Sequence, residues 1–334
     1  MVALSILDLV PVVEGKTPAD AFANTKDLAQ HAERWGYQRY WVAEHHNMVG
    51  IASAATSVVI GFIAAHTSTI RVGAGGIMLP NHSPLLSAEQ FGTLESLYPG
   101  RIDLGLGRAP GTDRATSQAM RRDSMASDHF PDDVLELQSY FGPSEPDQAI
   151  QAVPGAGLNV PLWILGSSLY GAQLAAAFGL PYAFASHFAP DALDHALALY
   201  KAQFRPSEQM AKPHAMAGVN VVLADSDAEA NYHFSSIQQR FTDMVRGKRG
   251  YLKPPIDDIE SYWSREEKIH ASRMLACSFV GSPDTVKRKL DAFVASTGVD
   301  ELMVASALFD HQARLRSYEL LAELNEHAIL GKAA

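Results

Sequence analysis

Chemically capable residues recur in this chain at one kind of place, the end of a short apolar run. Asp8 lies near the end of residues 4–10. Glu44-His45-His46 follows 39–43, and Gly73-Ala74-Gly75-Gly76 closes 70–74 and runs past it. Arg108 follows 101–106, Gly166-Ser167-Ser168 follows 161–165, and His187 follows 181–185. Apolar runs of this length read as parallel strands buried on both faces. Proteins built from such strands gather their ligands at the strands' C-terminal ends. Repetition at so many strand ends favours one shared pocket over scattered helix caps.

Each group suggests its own chemistry. Gly166-Ser167-Ser168 precedes a helix starting near Leu169, so unpaired N–H groups and two hydroxyls could seat a phosphate; an ordinary helix cap would use the same residues. Arg108 could complete a phosphate clamp with its forked donors. The glycines at 73, 75 and 76 would let a flat ligand approach the backbone. They match neither a dinucleotide fingerprint nor a P-loop. Strand alternation sends His45 and His46 to opposite sides, so one can face a ligand while the other packs. If Asp8 and His187 converged with a histidine of this pair, a metal-dependent hydrolase would be the alternative.

The elements that carry these residues alternate regularly. Strands are predicted at 4–10, 39–43, 70–74, 101–106, 161–165, 181–185, 215–223 and 301–306. Helices are predicted at 18–35, 53–66, 84–97, 128–141, 169–178, 190–204, 228–245, 283–295 and 310–327. Gly36, Gly179 and Gly298 each stop a helix just before a strand, as a C-terminal glycine does. Eight β-α repeats in 334 residues predict an α/β fold, a (β/α)8 TIM barrel in one domain over 1–334. Insertions are expected after strands four and seven, at 109–127 and 246–272, where long loops tend to carry function.

Composition narrows the partners. Lys+Arg 27 against Asp+Glu 37 gives a net charge of -10, which argues against nucleic acid or an anionic membrane surface. Cys277 is the only cysteine, so no intrachain disulfide can form, as suits a reducing cytoplasm. No signal peptide is evident, and residues 51–65 are too short to span a bilayer. Met78, Phe130, Tyr170, Phe188 and Trp263 are candidate pocket-lining residues, although packing accounts for such side chains equally well.

Taken together, the chain resembles the bacterial luciferase-like flavin-dependent monooxygenases over nearly its whole length. The likeness rests on Glu44-His45-His46, on residues 72–80 with His82 and Pro84, on Gly100-Arg101 through Arg108-Ala109-Pro110-Gly111, and on Phe279-Val280-Gly281-Ser282-Pro283. The resemblance implies a homodimer that takes reduced FMN from a separate NAD(P)H-dependent flavin reductase. It further implies that dioxygen reacts through a flavin 4a-hydroperoxide to oxygenate a small organic substrate. His45 matches the family's active-site histidine, and Gly75-Gly76 its non-proline cis peptide beside the flavin ring. Arg108, Gly166, Ser167 and Ser168, with Tyr170 nearby, match the phosphate-binding positions, and Asp8 is a further candidate cofactor contact. No metal is implied. Gly107 stands where luciferase has a reactive cysteine, and Ser167 where it has an acidic residue, so light emission is not implied. A deazaflavin-dependent oxidoreductase of the same fold is the other flavin-type alternative.

Overall fold

A computed structural model describes residues 2–109, 113–122, 125–144 and 147–330; Pro110 and Gly111 of the arginine motif lie outside them. The strands are β1 (Ala3–Asp8), β2 (Arg39–Val42), β3 (Arg71–Met78), β4 (Ile102–Gly107), β5 (Leu162–Gly166), β6 (Tyr182–Phe184), β7 (Ala215–Leu223), β8 (Ser278–Gly281) and β9 (Glu301–Ala305). The helices are α1 (Pro18–Arg34), α2 (Thr56–Ala65), α3 (Pro84–Leu97), α4 (Arg114–Ala119), α5 (Phe130–Phe141), α6 (Leu169–Phe178), α7 (Leu193–Gln203), α8 (Asp227–Val245), α9 (Arg265–Met274), α10 (Pro283–Thr297) and α11 (His311–Leu330).

All strand pairs are parallel, in the order β6-β5-β4-β3-β2-β1-β9-β7, and a β6–β7 pairing closes the ring. The expected (β/α)8 barrel is therefore present. One expectation needs correction. Residues 278–281 form a ninth strand, β8, which pairs only with the end of β7 and stands outside the ring. Its apolar run is too short to separate from a loop by pattern alone. The two insertions are also partly helical. The first contains α4, capped by Asp113, whose carboxylate accepts from Thr116 N at 2.8 Å. The second contains α9, started by a Ser264–Glu267 capping box.

Side chains facing the barrel interior stack in layers, as strand alternation requires. The N-terminal layer is charged. Arg39 meets Asp103 at 2.8 Å and Glu301 at 3.0 Å, Arg71 meets Asp103 at 2.6 Å, and His214 meets Glu301 at 3.0 Å. Burial opposes ionisation of Glu301, but His214, Arg39 and Ser5 together hold its carboxyl below the usual range. Above lies an apolar layer of Leu7, Trp41, Trp163, Met216 and Met303, with the two indoles edge to face at 5.1 Å. Trp41 Nε1 donates down to Asp103 at 3.1 Å, which joins the layers.

Among the next inward positions Leu9 and Leu165 pack on the apolar layer, whereas Ala43, Gly75, Gly107, Ala185 and Gly218 are small. The small residues leave space over β2, β3, β4, β6 and β7 at the C-terminal end. At Gly75 an added Cβ would lie 2.9 Å from Trp41, and at Gly76 it would lie 2.7 Å from the carbonyl of Gly105. No residue but glycine fits either position without displacing the floor of that opening.

The roof comes from the insertion after β7. Leu252 bridges to Val13 behind β1, and Leu252 N donates to Val12 O at 3.0 Å. Arg249 pairs with Asp113 of the other insertion at 2.9 Å. These contacts draw the chain following α8 across the barrel mouth. No described helix is long and apolar enough to cross a membrane.

Candidate active site at the barrel mouth

Strand alternation carries His45 inward, in line with Trp41 and Ala43, and turns Glu44 away. Glu44 is buried and accepts from His46 Nε2 at 2.6 Å, His82 Nε2 at 2.9 Å, Asn81 Nδ2 at 3.0 Å and Met78 N at 2.8 Å. Burial raises its pKa, but the hydrogen bonds led by His82 outweigh that and hold the carboxylate ionised. The Glu-His-His cluster thus divides its labour. Glu44 clamps the end of β2 to the turn after β3 and engages His46, which leaves the ring of His45 to the mouth.

His45 Nδ1 is buried and makes no hydrogen bond. Burial first, and then the positive charge of Arg240, push its pKa down to about 4. His187, at the end of β6, shares both features. Its Nδ1 is buried without a partner, and burial followed by the charge on His45 lowers its pKa to about 4. At neutral pH both rings are therefore uncharged. His187 sits over Gly218 of β7, where an added Cβ would collide with the imidazole. Asn220 Nδ2 donates to the His187 carbonyl at 2.6 Å, and Ser186 Oγ to the Gly218 carbonyl at 2.6 Å, which fixes the end of β6 against β7.

Between these histidines and β4 lies the glycine cradle. The Gly75–Gly76 peptide is cis, and Gly76 O accepts from Glu44 N at 3.1 Å. Beyond it, the guanidinium of Arg108 lies 4.2 Å from the ring centroid of Tyr170, near enough for cation–π attraction. Arg108 is exposed and pairs with no carboxylate among the described residues. Ser167 and Ser168 are exposed too, and Ser168 occupies the N-cap of α6 without making the side-chain cap bond. Its hydroxyl therefore makes no bond to the first N–H groups of α6. Gly166 accepts from Ala185 N at 2.8 Å, which ties this turn to β6.

Asp8 stands apart from this group. Its carboxylate points into the helical layer and meets Arg314 at 2.9 Å, Thr25 Oγ1 at 2.6 Å, Tyr40 Oη at 2.5 Å and Val10 N at 2.8 Å. With every acceptor committed, it cannot join the mouth as a cofactor contact. Instead it holds Val10 in a left-handed conformation, φ 50°, at the turn leaving β1. Among the described residues no three His, Cys, Asp or Glu side chains converge as a metal site would need. Phe130 and Trp263 belong to the hydrophobic cores. Phe188 packs edge-on against His187 at 4.9 Å, and Met78 lies against Gly107.

The sequence reading missed Gly218, Asn220, Ser236 and Arg240. Gly218 and Asn220 sit at inward positions of β7, where alternation could have drawn attention to them. Nothing local marks Ser236 or Arg240, because both lie on an ordinary amphipathic helix.

Comparison with known proteins gives a consistent picture. A model of the luciferase-like monooxygenase family matches residues 4–301. A luciferase-like monooxygenase of Escherichia coli K12 is 52% identical over 329 residues, which cover 98% of each chain. The crystal structure of apo-MsnO8 superposes with a TM-score of 0.90 at 37% identity, covering 98% of this chain and 99% of that one. The oxygenating constituent of 3,6-diketocamphane monooxygenase from Pseudomonas putida, solved with FMN, shares the fold. Its TM-score is 0.69 at 19% identity, with 96% of each chain covered.

Proposed function

The chain belongs to the luciferase-like monooxygenase family, and from that premise we propose that it is an FMN-dependent monooxygenase acting on a small organic substrate. A separate NAD(P)H-dependent reductase supplies the reduced flavin in this reading. The observation that carries it is the shape and chemistry of the mouth: a side-chain-free cradle at Gly75–Gly76 ends at a guanidinium set against Tyr170 and at two hydroxyls, all without hydrogen-bond partners among the described residues. A planar ring with a phosphate tail fits that set of groups.

Arg108, Ser167, Ser168 and the N-terminus of α6 would hold the phosphate, with Tyr170 keeping the guanidinium in place. Gly166 gives the turn its course, and Gly75 and Gly76 would lie against the ring. Reduced FMN, once bound, supplies the two electrons that let one atom of dioxygen enter the substrate while the other leaves as water. The protein's part is positioning and exclusion. The roof segment shields the mouth from water, and the apolar layer under the glycines closes it from below.

His45 acts here as a neutral imidazole. Burial and the charge of Arg240 disfavour the imidazolium. The half-buried ring of His45, at the inward end of β2, would hold a hydrogen bond to the reacting oxygen. His45→Ala is expected to bind FMN as the wild type does but to release most of the consumed oxygen as hydrogen peroxide. Unchanged coupling of oxygen uptake to product would remove His45 from the mechanism. Titration with FMN, riboflavin and a deazaflavin separates the readings: preference for the deazaflavin over FMN would replace the monooxygenase assignment with hydride transfer.

A homodimer is part of the same proposal. Val58, Phe62, Leu86 and Leu97 on α2 and α3 expose apolar surface, the kind of face a twofold interface covers. A monomeric mass by light scattering refutes that part alone.

A further inference from the structure

Across the mouth from the phosphate seat, α8 presents a second set of polar groups without partners. Arg240 lies near the C-terminal end of this helix, where the following chain crosses the barrel. Its guanidinium forms no hydrogen bond and no ion pair among the described residues, although the chain carries Asp+Glu 37 against Lys+Arg 27. The carboxylates around the mouth are engaged elsewhere. Glu44 serves His46 and His82, Asp113 serves Arg249, Asp243 serves Lys253 and Arg246, and Asp8 serves Arg314.

Arg240 is only half-buried by exposure, yet protein surrounds it so closely that burial lowers even its pKa. Such a side chain meets water inside a cavity rather than on the outer surface. Next to it on α8, Gln239 Nε2 donates to the Pro254 carbonyl at 2.9 Å in the segment that crosses the barrel, so this end of the helix lies at the mouth, and the charge of Arg240 is felt at His45. Ser236 lies one turn earlier on the same face of α8, and its hydroxyl is buried without a partner. His187 Nδ1 is likewise buried and unpartnered. A buried cation without a counter-ion is costly, and proteins keep one where a ligand supplies the opposite charge.

We propose that Arg240, together with Ser236 and His187, forms an anion-binding subsite that receives a carboxylate of the organic substrate. The guanidinium offers a two-pronged contact to a carboxylate, and the serine hydroxyl and a neutral imidazole can each donate one further hydrogen bond. The FMN phosphate is a poor occupant, because its seat at Arg108 and α6 stands behind β4 and β5 whereas Arg240 stands behind β7. The substrate class is accordingly an acid, with its reactive part directed toward His45 and its carboxylate toward α8. Calling the anion a substrate rests on the monooxygenase reading; its binding does not.

The test uses flavin-free protein and calorimetric titration with acetate, hexanoate and benzoate, each against its amide. At least one carboxylate is expected to bind wild type about tenfold or more tightly than its amide. Arg240→Gln should lose that preference, and Arg240→Lys, which keeps the charge but not the fork, should keep part of it. FMN affinity, read from quenching of flavin fluorescence, should be the same in all three proteins. Failure of every carboxylate to bind wild type, equal binding of acids and amides, or an unchanged preference in Arg240→Gln overturns the proposal. A loss of FMN affinity in Arg240→Gln also overturns it, since Arg240 would then belong to the cofactor site. If wild type binds no FMN at all, the monooxygenase reading fails while the acid-against-amide comparison still decides the subsite. Should Arg240→Gln not fold, Arg240→Lys and Ser236→Ala carry the comparison.

Discussion

The two ends of the barrel treat polar groups in opposite ways. At the N-terminal end, Arg39, Arg71, Asp103, His214, Glu301 and Ser5 form a closed network in which charge meets charge. At the C-terminal end, Arg108 and Arg240 meet no carboxylate, and His187 Nδ1 and the hydroxyls of Ser168 and Ser236 make no hydrogen bond, among the described residues. Both ends are partly buried, so the difference is not one of solvent. A satisfied network holds strands together, whereas an unsatisfied one is kept for something that arrives later. The same distinction separates Asp8 from its neighbours on the strand ends: with four partners it belongs with the supporting groups despite its position.

The contrast can be broken at several points. The largest effect is expected from Asp103→Ala, which strips two arginines of their shared carboxylate. Unfolding free energy should fall by about 3–5 kcal/mol, as when one partner of a buried pair is removed. Little loss in a denaturant melt would mean that the closed network is not structural. Next, Arg108→Ala should weaken FMN about 100-fold by removing charge-assisted hydrogen bonds, and leave riboflavin nearly unaffected. Equal weakening of both ligands would detach Arg108 from the phosphate and blur the distinction between the two ends.

A pH series sharpens the comparison. His45 and His187 titrate at about 4 in the folded chain but near 6.5 when unfolded, so the unfolded chain binds more protons between those values. Stability should therefore fall as pH drops from 6.5 to 4, and these two groups should add no further loss below that. His187→Asn should remove roughly 3 kcal/mol of that acid-side loss. A wild-type slope identical to the variant's would show that His187 is not held neutral. The smallest effect is expected for Arg249→Ala, because the exposed pair with Asp113 contributes no more than about 1 kcal/mol. A drop of several kcal/mol in this variant would show that the roof is part of the structural core.

Much of this was legible in the residues. Short apolar runs separated by helices with glycine stops are enough to predict a barrel, because a parallel strand and its return helix must each bury a face that only the other can cover. For the same reason His45, Gly75, Gly76, Arg108 and Ser168 could be assigned to one rim: a strand end is a local feature, and alternation decides which neighbour turns inward. Asp8 sat at such an end too, yet Thr25, Tyr40 and Arg314 come from distant parts of the chain, and their convergence on its carboxylate has no local signal. Arg240 was hidden for the converse reason. Whether an arginine on an amphipathic helix is solvated, paired or left without a counter-ion depends on what the rest of the chain packs around it. Sequence periodicity settled which strand ends face the mouth, since it follows from backbone geometry alone. Tertiary packing settled which polar heads there remain unpaired, since pairing depends on groups that meet only when the chain is folded.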